Sequence, residues 1–191
     1  MNSTCSPLVE EIRNEIIMEA KASTQIDDWF LSEHLLVVEQ LAHWLCDEIP
    51  EADRDSVILS VWFHDKGRLV GIDDGHDVYG KKAAKERLSK TKLSLEKIEL
   101  IANACLSHRA EEIQPESLEA KILATVDAMS HFISPNFYFR VFEHYRKLKS
   151  FEETLDIIKK KLDRDYQQKI LFDQAKEKIK PTYEAWKVVL K

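Results

Sequence analysis

Glycine is nearly missing from this chain of 191 residues: there are four, and all of them fall within VWFHDKGRLVGIDDGHDVYG, residues 61–80. That stretch is where the backbone has to turn sharply or pass close to a neighbour. Cysteine is almost as scarce. Cys5, Cys46 and Cys105 are odd in number, far apart and set among apolar residues, which argues against a disulfide framework or a cysteine-built zinc site and points to a reducing compartment. Positive charge is in deficit, with 28 Lys and Arg against 34 Asp and Glu and a net charge of −6. Broad nucleic-acid binding depends on neutralising many phosphates, so it is not expected; a small anionic ligand in a local basic pocket stays compatible with this balance. No apolar run approaches the ~18 residues of a membrane span, and MNSTCSPLVEEIRNE lacks the basic start and apolar run of a signal peptide. A cytoplasmic location away from membranes is expected.

Alternating β-branched runs are absent too, whereas apolar residues recur at three and four spacings, the period of an all-α protein. The length suits a single domain, residues 1–191. Helices are expected over 7–23, with Ser6 as N-cap and Pro7 in the first turn, over 30–49, and over 53–65, closed by Gly67 in the left-handed conformation. Residues 68–79 read as a loop leading into the basic helix GKKAAKERLSK, with Gly80 at its start and Asp77 as its cap. Further helices follow over 94–108 and 117–132, capped by Ser94 and Ser117. Beyond Pro135 the chain is aromatic, then strongly amphipathic up to Pro181. The charge runs EE, KKK and RD in this part read as solvated faces, and the stripe Phe137, Phe139, Phe142 and Tyr145 as core or interface.

Set into or at the ends of these apolar helices are His34, His64, Asp65, His108 and Asp127, with His76 as a sixth group. One histidine on an apolar face is ordinarily a hydrogen-bonded core residue; six such groups are a different matter. Asp127 lies among Leu123, Ala124, Val126 and Met129, where an ionised carboxylate is costly unless a cation is near. Imidazole and carboxylate without thiolate suit Mn, Fe, Co, Ni or Zn, and a metal so held brings bound water toward neutral pKa and polarises a phosphoryl or carbonyl oxygen. His43, nine residues past His34, projects from the opposite helix face. His131 reads as packing and His144 as surface.

The order His34, then His64-Asp65 in WFHDKGR, then Asp127 in VDAMSHF resembles the HD domain, a helical superfamily of metal-dependent phosphohydrolases. The resemblance covers about residues 25–135 and leaves 136–191 as a C-terminal helical extension packed on that core. It implies metal-binding roles for His34, His64, Asp65 and Asp127. HDVYGKKAAKE and His108 are similar to the extra histidines of two-metal subfamilies, which implies a six-ligand site with His76 and His108 added and Asp65 bridging two ions. A one-metal site, with His76 and His108 contacting substrate or moving protons, remains the other reading. The implied cofactor is one or two divalent ions (Mn, Fe, Co, Ni, Zn or Mg). Arg68 stands where two-metal members usually carry Lys, and could fork onto a phosphate; Lys81 and Arg109 are further candidates for binding an anionic substrate.

The activity implied is hydrolysis of a small phosphorylated substrate, most plausibly a nucleotide, by a metal-activated water, with catalytic roles for Asp65 and for His108 as leaving-group acid. Two alternatives stand beside it: a dinuclear-iron oxygenase built on the same ligands, and a non-catalytic ligand-binding module. The amphipathic C-terminal helices could cover the core or form a homodimer face.

Overall fold

The helix RDSVILSVWFH is the shaft of the structure: every residue from Ser56 to His64 is buried. The computed structural model describes residues 5–134 and 136–190; Pro135, where the sequence reading placed a boundary, lies outside them. Among the described residues are nine α-helices and no strand. They are α1 (Pro7–Ala22), α2 (Leu36–Glu48), α3 (Arg54–His64), α4 (His76–Leu88), α5 (Leu95–Ser107), α6 (Leu118–Ile133), α7 (Phe137–Arg146), α8 (Phe151–Arg164) and α9 (Asp173–Val189). Helices α1, α2, α4, α5 and α6 all pack on α3. One apolar cluster runs from Val9 to Tyr183, and no described helix is long and apolar enough to cross a membrane.

Serines cap the helices that carry His108 and Asp127. The Ser94 and Ser117 side chains accept from the amides of Lys97 and Ala120, each satisfying one of the free N–H groups of a first turn. Ser6 occupies the N-cap of α1, but its side chain makes no capping bond.

The glycines differ from expectation in an informative way. Gly67 has φ −59°, an ordinary right-handed value, while Gly71 (φ 81°) and Gly75 (φ 78°) take the left-handed conformation. Gly67 is bare for another reason: a Cβ there would lie 2.7 Å from the Cα of His76. Helix α4 starts at His76, with Gly75 at its N-cap, so the loop is shorter than 68–79 and Asp77 sits in the first turn instead of capping it. Gly80 is inside α4. A Cβ on it would meet the carbonyl oxygens of Phe63 and His64 at 2.5 and 2.7 Å. Both glycines therefore let α4 press against the end of α3, which brings His76 beside the His64-Asp65 doublet.

Two stretches carry i→i+5 hydrogen bonds. Phe30–Leu35 leads into α2, with the Leu36 amide bonded to the Leu31 carbonyl, and Asp165–Lys169 follows α8, with the Ile170 amide bonded to the Asp165 carbonyl. Such π-type turns widen a helix and re-aim its side chains. The second one interrupts what reads in sequence as a continuous amphipathic run. After it, α9 continues through Pro181 instead of ending before it.

Gly80→Ala places its methyl against two backbone oxygens, and Gly75→Ala meets only an unfavourable φ in open space. Urea denaturation should show Gly80→Ala losing about 1–3 kcal/mol or more and Gly75→Ala about 1 kcal/mol; equal losses would contradict this packing.

Candidate metal centre

Asp65 caps α3 directly after His64, and its two carboxylate oxygens face different pairs of imidazoles. Oδ2 lies 3.2 Å from His34 Nε2 and 3.7 Å from His64 Nε2; Oδ1 lies 3.2 Å from His76 Nε2 and 3.7 Å from His108 Nε2. Asp127, midway along α6, adds Oδ1 to the first pair, 3.7 Å from His34 Nε2 and 3.8 Å from His64 Nε2. All six groups are buried. His34 reaches the centre from the first π-type turn, His76 from the start of α4 and His108 from the end of α5.

The outer ring nitrogens fix which way each lone pair points. His64, His76 and His108 direct Nδ1 to the carbonyl three residues earlier, on Val61, Asp73 and Cys105, at 2.6, 2.5 and 2.6 Å. A carbonyl only accepts, so Nδ1 carries the proton and Nε2 presents a lone pair to the centre. His34 reaches the same state differently. The Ser130 hydroxyl donates to the Asp127 carbonyl at 2.7 Å and so accepts from His34 Nδ1 at 3.1 Å.

In their neutral form the four imidazoles thus all turn an Nε2 lone pair toward the two carboxylates. Among the described residues, His34 Nε2, His64 Nε2 and Asp65 Oδ1 are buried side-chain atoms without a hydrogen-bond partner. Buried polar atoms are rarely left so, and divalent cations on the two sides of Asp65 would satisfy all three. Among the described residues three groups, His34–His64–Asp65, Asp65–His76–His108 and His34–Asp127–His131, have donor atoms close enough together to hold an ion. Nitrogen-rich sets of this kind suit Mn, Fe, Co, Ni or Zn better than Mg, which prefers oxygen.

The HD-domain family model matches residues 31–131, more than half of the chain. This chain belongs to the HD-domain family. Comparisons with curated proteins and with solved structures return no match.

The HD segment does not complete the centre by itself. The cation that Asp127 calls for in the sequence is, at one of its oxygens, Lys169: the ammonium donates to Asp127 Oδ2 at 2.9 Å and is 4% exposed. Asp127 therefore divides its oxygens, Oδ2 to Lys169 and Oδ1 to the histidines. His131, read from sequence as packing, turns Nε2 toward Asp127 Oδ1 at 3.7 Å and Nδ1 toward Asp165 Oδ2 at 2.8 Å, and stacks on Phe137. Asp165 is wholly buried and also pairs with Lys161 at 3.1 Å and Arg164 at 3.0 Å. The KKK and RD runs are thus not simply solvated: Lys161, Arg164 and Asp165 belong to this network. Neither Asp165 nor Lys169 is legible in sequence, because an Asp and a Lys four residues apart look like an ordinary surface pair; the π-type turn is what aims both inward.

The centre opens into a cavity of about 940 Å³ lined by His34, Asp65, His76, His108 and Asp127. Arg68 lines it and donates to Asp65 Oδ2 at 3.1 Å and to Asp73. Arg109 lines it too, paired with Glu111 at 2.7 Å. Lys81 does not: it sits along α4, bonded to Asn103 Oδ1 at 3.0 Å. Among the aromatic stripe, Phe137 and Tyr145 face the cavity, and Phe139 is exposed. His43 contacts Arg54 away from the centre, and His144 lies exposed on the cavity rim.

Burial alone would raise the Asp65 carboxyl, but Arg68 and the surrounding imidazoles outweigh it and hold it well below the usual range. Burial pushes His108 down to about 3, aided by His64, and takes His131 down to about 4, aided by Lys161. In metal-free protein these two rings stay neutral where the unfolded chain, with imidazoles near about 6.5, already takes up protons. Stability is then full above that value and is lost as pH falls below it, by about 1.4 kcal/mol per pH unit per ring. Thermal melts in chelator should show Tm falling from pH 7.5 to pH 5.5; an unchanged Tm would contradict the burial of neutral rings.

Proposed function

We propose that this protein hydrolyses a small phosphorylated substrate, with a nucleotide as the favoured class, at a two-metal centre bridged by Asp65. The observation that carries this reading is the division of the Asp65 carboxylate between His34–His64 and His76–His108 at the floor of an open cavity. HD domains as a family are metal-dependent phosphohydrolases, which supports the reaction class. When bound, the ions would supply Lewis acidity and an activated water.

The chain's own groups take the remaining roles. Carbonyls of Val61, Asp73 and Cys105 and the Ser130 hydroxyl keep the imidazoles in one tautomer, so the ligands are oriented before any ion arrives. Arg68, on the cavity wall beside Asp65, offers a planar fork to phosphate oxygens, and Lys169 offers a point charge beside Asp127. The two roles implied for His108 compete for one nitrogen. With Nδ1 committed to the Cys105 carbonyl, only Nε2 remains, and as a ligand it carries no proton to give a leaving group; His108 is therefore kept in the proposal as a ligand.

The oxygen-activating di-iron reading draws on the same donors, since four imidazoles and two carboxylates also suit iron. Arg68 and Lys169 at the cavity wall favour phosphoryl chemistry over it. Iron content after anaerobic purification, together with oxygen uptake, separates the two.

Purified protein supplied with Mn, Fe, Co, Ni, Zn or Mg should release phosphate or pyrophosphate from at least one member of a panel of phosphomonoesters, nucleotides and cyclic dinucleotides. His64→Ala and Asp65→Ala should lower that rate by about a thousandfold or more while keeping the helical circular dichroism signal. A panel without any release under all six metals would sink the proposal.

A further inference from the structure

The walls of the cavity divide by charge according to where in the chain they come from. Every acidic lining residue precedes α7: Asp27, Asp65, Asp73, Asp74, Glu111 and Asp127. From α7 onward the charged lining residues are Arg140, Lys160, Lys161, Arg164 and Lys169, without an acid among them. This is not the composition of those helices, because α7 and α8 carry Glu143, Glu152, Glu153, Asp156 and Asp163, and these face elsewhere. Asp163, for one, accepts from the Tyr183 hydroxyl at 2.7 Å on the far side of α8.

The cations are also held in place. Buried Asp165 lies behind the wall and fixes Lys161 and Arg164 from the rear. Glu111 reaches across from the HD segment and bonds both Arg109 and Arg164, so two guanidinium groups are held by a single carboxylate. Lys160 is exposed and has no ion-pair partner among the described residues. Arg140 is paired with Asp27 and Lys169 with Asp127, which leaves Arg164, Lys161 and Lys160 as the cationic patch that the extension turns to the cavity; in a chain of net charge −6 such a patch suits an anion.

We propose that this wall is a second anion subsite, and that the substrate carries a phosphate beyond the one presented to the metal centre, as in a diphosphate or longer phosphate chain. This rests on the phosphohydrolase reading and deepens it. The HD segment would hold the reacting phosphoryl group beside Arg68, and the extension would hold the remaining anionic charge through Arg164, Lys161 and Lys160. Charge-assisted hydrogen bonds to fixed guanidinium groups select for that second group, so the extension acts as the specificity element.

The test uses the metal-loaded full chain and two non-hydrolysable probes, methylenediphosphonate with two anionic groups and methylphosphonate with one, titrated by calorimetry. Methylenediphosphonate should bind at least about tenfold more tightly, roughly one factor of ten for a gained charged contact. Lys160→Glu should shrink that margin at least about threefold. Lys159→Glu, the same charge change at the adjacent position outside the cavity lining, should leave it within about twofold. Both variants alter partly or fully exposed side chains, and circular dichroism checks that they fold. Equal affinities for the two probes, or equal effects of the two variants, would overturn the subsite. If the subsite result holds while no substrate is hydrolysed, the phosphohydrolase reading falls and the subsite stands. If a phosphomonoester is hydrolysed while the probes bind alike, the subsite alone falls.

Discussion

The structure is organised around one carboxylate. Asp65 stands between two pairs of imidazoles that turn Nε2 toward it, buried at the floor of the cavity. Arg68 and Lys169 satisfy one oxygen each of Asp65 and Asp127, but His34 Nε2, His64 Nε2 and Asp65 Oδ1 stay without a partner, and each unpaired polar atom there costs on the order of 1–3 kcal/mol. The scaffold nonetheless enforces this arrangement, with a backbone carbonyl or hydroxyl behind every ring. A fold that keeps buried ligand atoms unpartnered at some cost in stability is arranged for a cation.

Much else follows from holding these groups together. Helix α3 is buried from Ser56 to His64, which lets its end sit at the middle of the bundle. Gly67 and Gly80 remove the methyl groups that would keep α4 away from that end. The two π-type turns aim His34 inward from one side and Asp165 and Lys169 from the other. The C-terminal helices, outside the matched HD segment, thereby become part of the centre, since Lys169 decides which oxygen of Asp127 is left for the histidines.

What could be read in the sequence was whatever period and order express. The all-α class, the caps at Ser94 and Ser117 and the six converging groups are legible because apolar spacing and the His, His-Asp, Asp order are properties of the linear chain. The roles of Gly67 and Gly80 are not, because they depend on which backbone lies against them, and φ preference alone suggested a turn. Asp165, Lys161 and Lys169 stayed hidden for a related reason. A charged helix face with regular spacing looks solvated until a π-type turn rotates part of it into the interior. For His131 the spacing of one turn after Asp127 fits both a place beside the ligands and plain core packing, so sequence alone does not decide between them.

The most direct test is the number of ions that the chain binds. Calorimetric titration of the chelated protein with Mn should reach two ions per chain, and in Asp65→Ala the binding should be lost or weakened by about a hundredfold or more at both positions. A wild-type protein that stays folded and binds no metal, or a single ion whose affinity is indifferent to Asp65, would contradict the central place given to that carboxylate.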